Sequence, residues 1–285
     1  MDCLAEGCRA AITEIVGSAG GVSVTGSLVC VGVGMMLGSH LTPLARSEIE
    51  GADVVFVAVS DALVERWIIA MHPDARSLQP LYAVDKPRTE TYAHMVDVIL
   101  TEVRAGRRVC AVFYGHPGIF VSASHECIRQ ALAEGYPAHM EPGISASDCL
   151  YADLGIDPGS VGCQHYEATQ FLLYGRRFDT SAWLILWQVG LVGDVTLRQR
   201  TTGRAYRQVL VDVLCQDVPA DHEVILYRAP VLPVDGPQIM RLPLRALPEA
   251  DFGTSHTLVI PPCADLHVNA GILARLRRLS ADAGT

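Results

Sequence analysis

Short apolar runs rich in β-branched residues alternate with longer amphipathic stretches through the first half of the chain. The apolar runs predict strands, over residues 28–34, 53–59 and 108–114. The amphipathic stretches predict helices, over residues of about 43–51, 61–71, 88–105 and 119–134. Strands that alternate with helices are typical of a parallel sheet whose faces are covered by helices, so the pattern predicts an α/β fold.

The most regular helical pattern lies at residues 88–105. Its apolar positions recur every three or four residues, at Tyr92, Met95, Ile99 and Val103. Pro87 stands beside the first turn and Gly106 follows the last one, as helix boundaries favour.

A dense group of prolines and glycines between Met140 and Cys163 indicates a change of domain near a helix over 145–154. The second half has a mixed α+β pattern, with strands over 183–189, 223–227 and 257–260 and helices over about 204–216 and 268–279. We therefore expect an N-terminal α/β domain over residues 27–142 and a C-terminal α+β domain over 143–285. Residues 1–26 lack the features of a secretion signal and are expected to form a flexible leader.

Three glycine turns follow apolar runs. The first, VGVGMMLG over 31–38, departs from a dinucleotide-binding loop because Leu37 stands where that fingerprint needs its third glycine. The second, YGHPGIF over 114–120, opens a helix at the carboxyl end of a strand, and the third, EPGISA over 141–146, follows the next strand. Ligands of open α/β sheets bind at this edge, so we expect the second and third turns to face one crevice.

Composition and charge narrow the choice of function. The chain is 50% hydrophobic with a mean hydropathy of +0.27, which argues against a disordered protein. No apolar run is long enough to cross a membrane. Its 31 acidic residues exceed its 22 basic ones, so we expect no nucleic-acid partner.

Cysteine and histidine usage points to a cytoplasmic protein without a metal. The nine cysteines are an odd number without a C-x-x-C pair, and several lie within apolar runs, so we expect reduced thiols. The ten histidines show no H-E-x-x-H spacing, so we expect no catalytic metal.

Together the three turns resemble those of the tetrapyrrole methyltransferase family, in which a Gly-Asp-Pro loop follows the fourth strand. His116 stands where that family has Asp. The YGHPG sequence at 114–118, with LWQVG at 186–190 and IPP at 260–262, is similar to the borosin peptide backbone α-N-methyltransferases. The resemblance runs from about Leu28 to Pro262.

This resemblance implies a tetrapyrrole methylase-like fold of two α/β domains, with S-adenosylmethionine in the cleft between them and S-adenosylhomocysteine as product. It also implies a homodimer that methylates backbone amides of a ribosomally made precursor peptide. Fused borosin proteins carry that peptide after the catalytic domain, whereas this sequence gives few residues beyond its last predicted helix. We therefore expect the split type, in which the precursor is a separate partner chain.

N-methylation of an amide needs assistance because the nitrogen lone pair is conjugated with the carbonyl group. The site would need a cation or donor at the oxygen and a base at the nitrogen. Arg88 and Tyr92 are four residues apart on the predicted helix and can project from one face. We expect Arg88 to stabilise the oxyanion and Tyr92 to act as base or proton relay, a role that Tyr82 could share. The resemblance adds Tyr114 to this catalytic cluster.

The same resemblance implies cofactor contacts at nine residues: Tyr114, His116, Ile119, Ser145, Ala146, Gln188, Ala229, His256 and Thr257. On the residues alone, Arg88 could be a solvated charge at a helix end and Tyr92 a core anchor, and His116 could simply shape its turn. Two other functions remain open: C-methylation of a corrinoid or porphyrinoid ring, and a catalytically silent family member that holds a peptide or cofactor.

Overall fold

The computed structural model of the protein describes residues 26–83, 86–198 and 201–282. The expected leader over 1–26 lies, apart from Gly26, outside the described residues. Two five-stranded sheets organise the rest of the chain.

The first sheet is parallel throughout, as the alternating pattern predicted. Its strand order is β3-β2-β4-β1-β5, with the bounds Ser27–Gly32 (β1), Val54–Ala58 (β2), Ala75–Ser77 (β3), Arg108–Phe113 (β4) and Ala138–Glu141 (β5). Four helices connect these strands: Pro43–Gly51 (α1), Ala62–Ile69 (α2), Arg88–Arg104 (α3) and Ser122–Ala133 (α4).

Both faces of the first sheet are buried, which explains why its strands are continuous apolar runs. Alternate residues such as Cys30 and Phe56 pack beneath α3 and α4. Their neighbours, including Val31 and Val57, pack beneath α1 and α2. Capping side chains fix where these helices begin: the Thr42 hydroxyl accepts from the Ala45 amide, and the Asp61 carboxylate accepts from two amides of α2.

The second sheet is mixed. Its order is β6-β7-β10-β8-β9, with the bounds Cys163–Glu167 (β6), Trp183–Trp187 (β7), Glu223–Arg228 (β8), Gln238–Pro243 (β9) and Thr257–Ile260 (β10). Only β6 and β7 pair in parallel; the other described pairings are antiparallel. The helices of this half are Ala146–Leu154 (α5), Pro158–Val161 (α6), Ala168–Leu173 (α7), Arg204–Leu214 (α8) and Ala270–Asp282 (α9).

Helices cover the two faces of the second sheet differently. On one face, Leu210 and Leu214 of α8 pack with Leu244 and Leu247 of a 3-10 turn at Leu244–Glu249. On the other face, Leu150 of α5 packs against Ile185 and neighbouring strand residues. This second face looks towards the loops of the first sheet.

Three strands escaped the sequence analysis for identifiable reasons. β3 has only three residues and two of them are polar. β6 has the polar sequence CQHYE, and β9 is an edge strand whose first four residues are exposed. None of the three has the apolar run or the alternation that predicts a strand from sequence. The short helices α6 and α7 were not predicted either.

None of the helices in the described part of the chain is long and apolar enough to span a bilayer. The described cysteines are free thiols, and Cys30, Cys110 and Cys127 are buried in the apolar clusters on the two faces of the first sheet. Burial raises the pKa of the Cys127 thiol to about 12, so this thiol stays protonated at neutral pH.

Three backbone segments meet at the carboxyl edge of the first sheet without room for a side chain. A Cβ atom on Gly143 would lie 2.3 Å from the Gly115 carbonyl oxygen and 2.8 Å from Gly32 Cα. A Cβ atom on Gly32 would also lie 2.3 Å from the Gly115 oxygen. Gly115 itself has φ +67° and exchanges two backbone hydrogen bonds with Gly34, of 3.0 and 3.1 Å. The three glycine turns recognised in the sequence are therefore one packed unit, which we call the glycine contact.

We predict that Gly143→Ala lowers the free energy of unfolding by about 3 kcal/mol, because the new methyl group overlaps backbone that cannot move away. Gly143 does not have a positive φ, so the effect is steric. Gly51→Ala is the matched control, since no atom lies within 4 Å of its Cβ position and the change favours the helix. Urea denaturation of both variants checks this; equal stabilities would contradict the tight contact.

Candidate active site

A cavity of about 350 Å³ lies between the carboxyl edge of the first sheet and the inner face of the second. The first sheet contributes the turn after β4, including Gly115, and the turn after β5, including Ser145. The second sheet contributes the ends of β7 and β8 and the segment leading into β10. The two turns expected to face one crevice do so.

All nine residues expected to contact a cofactor line this cavity: Tyr114, His116, Ile119, Ser145, Ala146, Gln188, Ala229, His256 and Thr257. Three of the four expected catalytic residues line it as well, namely Tyr82, Tyr92 and Tyr114. Residues more than 170 positions apart in sequence are thereby brought to one surface.

His116 shapes the turn that carries it. Its Nδ1 accepts a hydrogen bond of 2.9 Å from the Gly118 amide, which closes the turn. The Ser124 hydroxyl, from the first turn of α4, donates to the Pro117 carbonyl and anchors the same turn to the helix. The His116 ring therefore has a local structural partner as well as a place in the cavity wall.

A capping box fixes the turn after β5. The Asp148 carboxylate accepts from the Ser145 amide at 2.7 Å and from the Ser145 hydroxyl at 2.6 Å. The Ser145 hydroxyl oxygen in turn accepts from the Asp148 amide, so the first turn of α5 is satisfied internally. Ser145 is buried, and Ala146 begins the helix at the cavity wall.

Arg207 of α8 holds the segment that precedes β10. Its Nη1 and Nη2 donate to the carbonyl oxygens of Ala250 and Phe252, at 2.6 and 3.2 Å. The guanidinium also lies 3.8 Å from the centre of the Phe252 ring, a cation–π contact. His256 Nδ1 accepts from the Gly253 amide at 3.2 Å, and burial, followed by the charge of Arg228, lowers the pKa of His256. The His256 ring is therefore neutral at pH 7.

Two phenols interact at the wall formed by α3. Burial, reinforced by the neighbouring Tyr92 hydroxyl, raises the pKa of Tyr82 to about 12, although the charge of Arg88 acts in the opposite direction. Burial likewise raises the pKa of Tyr114 to about 12. Both phenols are protonated at neutral pH and can donate hydrogen bonds into the cavity.

Arg88 does not line the cavity. It is the first residue of α3, and side chains on a helix tilt towards the N-terminus, so its guanidinium extends past the helix end. Its Nε and backbone amide lie 3.3 and 3.2 Å from the Leu197 carbonyl oxygen. Its Nη2 lies 3.4 Å from Oδ2 of Asp194, a carboxylate with no exposed side-chain surface. Only electrostatic proximity to Tyr82 links Arg88 to the phenols.

Several residues at this site were not predicted from the sequence. Asp194, which holds Arg88, follows Gly193 and accepts from the Thr196 amide and hydroxyl, a turn pattern readable from an Asp two places before a Thr. Trp187, Phe120 and Arg228 also line the cavity. Arg228 has no ion-pair partner among residues 26–83, 86–198 and 201–282. In the sequence, only the position of Arg228 at the end of a predicted strand indicates that it could lie at the site.

Within the described residues, no group of three or more His, Cys, Asp or Glu side chains is arranged to hold a metal ion.

Residues 27–189 match the family model of tetrapyrrole (corrin/porphyrin) methylases. A methyltransferase and precursor of the cyclic gymnopeptides from Gymnopus fusipes is 41% identical over 90% of this chain and 62% of its own length. A methyltransferase and type I borosin cyclic peptide precursor from Coprinopsis marcescibilis is 42% identical over 84% of this chain and 63% of its own. The chain thus spans about three fifths of these relatives.

Solved structures share the fold at low sequence identity. Uroporphyrin-III-C-methyltransferase from Thermus thermophilus superposes with a TM-score of 0.59 at 19% identity, covering 84% of this chain and 93% of that one. Cobalt precorrin-4 methyltransferase superposes with a TM-score of 0.61 at 16% identity, covering 86% and 98%. The two-sheet architecture is the tetrapyrrole methylase fold, as the resemblance implied.

We predict that Arg207→Gln lowers the free energy of unfolding by about 2 kcal/mol, because two charge-assisted hydrogen bonds and a cation–π contact are lost. Arg204→Gln is the matched control on the same helix, since it removes only an exposed ion pair with Glu249 and should change little. Denaturant unfolding compares them. If both variants lost the same stability, Arg207 would not be the anchor of the segment before β10.

Proposed function

The chain belongs to the tetrapyrrole (corrin/porphyrin) methylase family, and from this premise we propose that it transfers methyl groups from S-adenosylmethionine to backbone amide nitrogens of a peptide. The printed names of its relatives, methyltransferase joined to cyclic peptide precursor, support this choice of substrate. The observation that carries the proposal is the grouping of Tyr82 and Tyr92 in the cavity wall, with Arg88 close enough to lower the pKa of Tyr82 against the effect of burial.

The cavity residues fit S-adenosylmethionine. A volume of about 350 Å³ lies within the range of small-molecule sites. Trp187, Phe113 and Phe120 provide apolar surface, and Gly115 leaves backbone exposed where a side chain would meet Met35. Aromatic rings such as Tyr114 suit a sulfonium, because a cation is attracted to their faces. When bound, the cofactor supplies an electrophilic methyl group.

The protein must make an amide nitrogen nucleophilic. Its lone pair is delocalised into the carbonyl group, and the barrier of about 18–20 kcal/mol to rotation about the C–N bond shows how strongly. Removing the N–H proton moves charge onto the carbonyl oxygen. A group that stabilises this oxygen and a group that accepts the proton therefore act together.

In this proposal Arg88 stabilises the charge on the carbonyl oxygen, and Tyr92 accepts the amide proton. Asp194 and the Leu197 carbonyl hold the guanidinium through Nη2 and Nε, and Nη1 has no partner among the described residues. The raised pKa of Tyr82 keeps its proton in place, so Tyr82 acts as a hydrogen-bond donor beside Tyr92. Tyr114, protonated for the same reason, borders the cavity as a donor or an aromatic face.

The nine predicted cofactor contacts are retained as part of this proposal. We further propose that the peptide is carried by a separate chain, that the enzyme is a homodimer, and that it acts in the cytoplasm. An exposed apolar stripe on α9, formed by Ile272, Leu276 and Leu279, supports assembly with a second copy. The free thiols of the described cysteines support a reducing compartment.

The direct test is incubation of the protein with S-adenosylmethionine and synthetic peptides rich in Val and Ile. We expect mass increments of one CH2 unit for each modified amide, because a methyl group replaces the amide hydrogen, assigned to backbone nitrogens by tandem mass spectrometry, together with formation of S-adenosylhomocysteine. Methylation of a porphyrinoid ring and not of any peptide would support the alternative activity. Cofactor binding without turnover of either substrate would identify a silent binding protein.

We predict that Arg88→Ala lowers the methylation rate by about 100- to 1000-fold and Tyr92→Phe by a similar factor, because each removes one partner of the reacting amide. The affinity for S-adenosylhomocysteine should stay within about threefold of the unchanged protein. Arg104→Ala is the matched control, since Arg104 lies at the opposite end of α3 in an exposed pair with Glu134. Loss of cofactor affinity in the first two variants would overturn the assigned roles.

A further inference from the structure

A polar network lies directly behind the cavity wall. His165 of β6 and Trp187 of β7 lie on the same face of two parallel strands, because His165 is paired with Ile185. The indole Nε1 of Trp187 donates to His165 Nδ1 at 3.0 Å, and the two rings stack with their centres 5.7 Å apart. Tyr151 of α5 places its hydroxyl 2.6 Å from His165 Nε2.

The hydrogen bonds define the tautomer of His165. An indole nitrogen can only donate, so Nδ1 of His165 must accept and the ring proton resides on Nε2. Nε2 then donates to the Tyr151 hydroxyl oxygen, with Cys163 Sγ a further 3.2 Å contact. The ring is thus fixed at both nitrogens.

Trp187 connects this hydrogen-bonded network to the cavity. Its ring lines the cavity and contacts the ring of Phe120, with the two centres 5.9 Å apart. Phe120 is half exposed and has φ +55°, an uncommon conformation for a residue with a side chain. Gln188, directly after Trp187, also has a left-handed backbone with φ +57° and lines the cavity. The cavity wall at the end of β7 is therefore conformationally restricted.

We propose that His165 is a positioning residue of the cofactor cavity, which fixes the indole of Trp187 and through it the wall formed by Trp187, Phe120 and Gln188. The identity of the bound molecule rests on the proposed function, but the positioning of Trp187 does not. His165 itself is absent from the cavity lining, so its effect on a ligand passes through Trp187.

Protonation provides a signature that simple packing would not give. Burial lowers the pKa of His165, so the ring is neutral at pH 7 and gains its second proton only in more acidic solution. That proton goes to Nδ1, which then opposes the indole N–H, and the bond to Trp187 is lost. The other titratable groups that face the ring are Tyr151 from α5 and Cys163 from its own strand, and burial raises the pKa of both, so they remain protonated throughout.

The first experiment needs no cofactor. In a protein carrying Trp67→Phe and Trp183→Phe, Trp187 is the remaining tryptophan, and its fluorescence is followed from pH 8 to 4.5. We expect a transition with a midpoint below the ordinary value for histidine, absent when His165→Phe is added. Persistence of the transition in that variant, or no transition in the parent, would overturn the proposal.

The second experiment measures the affinity for S-adenosylhomocysteine by calorimetry at pH 7.5. His165→Phe keeps a flat ring but removes the acceptor, and should weaken binding by about three- to tenfold. His165→Asn restores an acceptor near the Nδ1 position and should recover most of the loss. His222→Phe is the matched control, since it removes a hydrogen bond of 3.0 Å to the Pro261 carbonyl away from the cavity. Equal losses of affinity in His165→Asn, His165→Phe and His222→Phe would overturn the proposal. If the unchanged protein binds no S-adenosylhomocysteine, the proposed function is contradicted, but the fluorescence test of His165 remains valid.

Discussion

The close approach of three backbone segments at Gly32, Gly115 and Gly143 is the constraint on which the site depends. At Gly32 and at Gly143 a Cβ atom would lie 2.3 Å from the Gly115 carbonyl oxygen. The contact fixes the carboxyl ends of β1, β4 and β5 relative to one another, and each of the three turns then leads towards the cavity. The His-Pro-Gly turn and the capping box at Ser145 owe their mutual position to this contact.

The cavity wall divides into two kinds of surface. On the first sheet, the wall consists of turns held by internal bonds, such as those from Gly118 to His116 and between Ser145 and Asp148, and of aromatic side chains such as Phe113 and Tyr114. On the second sheet, larger side chains such as Trp187 and Arg228 form the wall. His165 supports Trp187 from behind, and Arg207 supports the segment before β10.

The protonation states of the titratable groups follow from their burial in or behind this wall. Burial keeps Tyr82 and Tyr114 protonated and keeps His165 and His256 neutral at pH 7, so the described cavity carries few fixed charges besides Arg228. Arg88 lies outside the cavity and forms an ion pair with the fully buried side chain of Asp194. This ion pair connects α3 to the loop that follows the 3-10 turn at Val189–Leu191. Asp194 fixes the position of this guanidinium near Tyr82 and offsets part of its charge.

Local pattern in the sequence determined the parallel first sheet, its helices and the glycine turns, because continuous apolar runs and turn residues report their own backbone conformation. The resemblance to a known family identified nine residues that the cavity brings together, since short motifs at strand ends keep their position when a fold is shared. The polar strand β6, the edge strand β9 and the direction of the Arg88 side chain depend on pairing with β7, β8 and Asp194 respectively, and only the tertiary structure decided them. The same holds for His165, whose role rests on contacts with Trp187 and Tyr151 that no local spacing predicts.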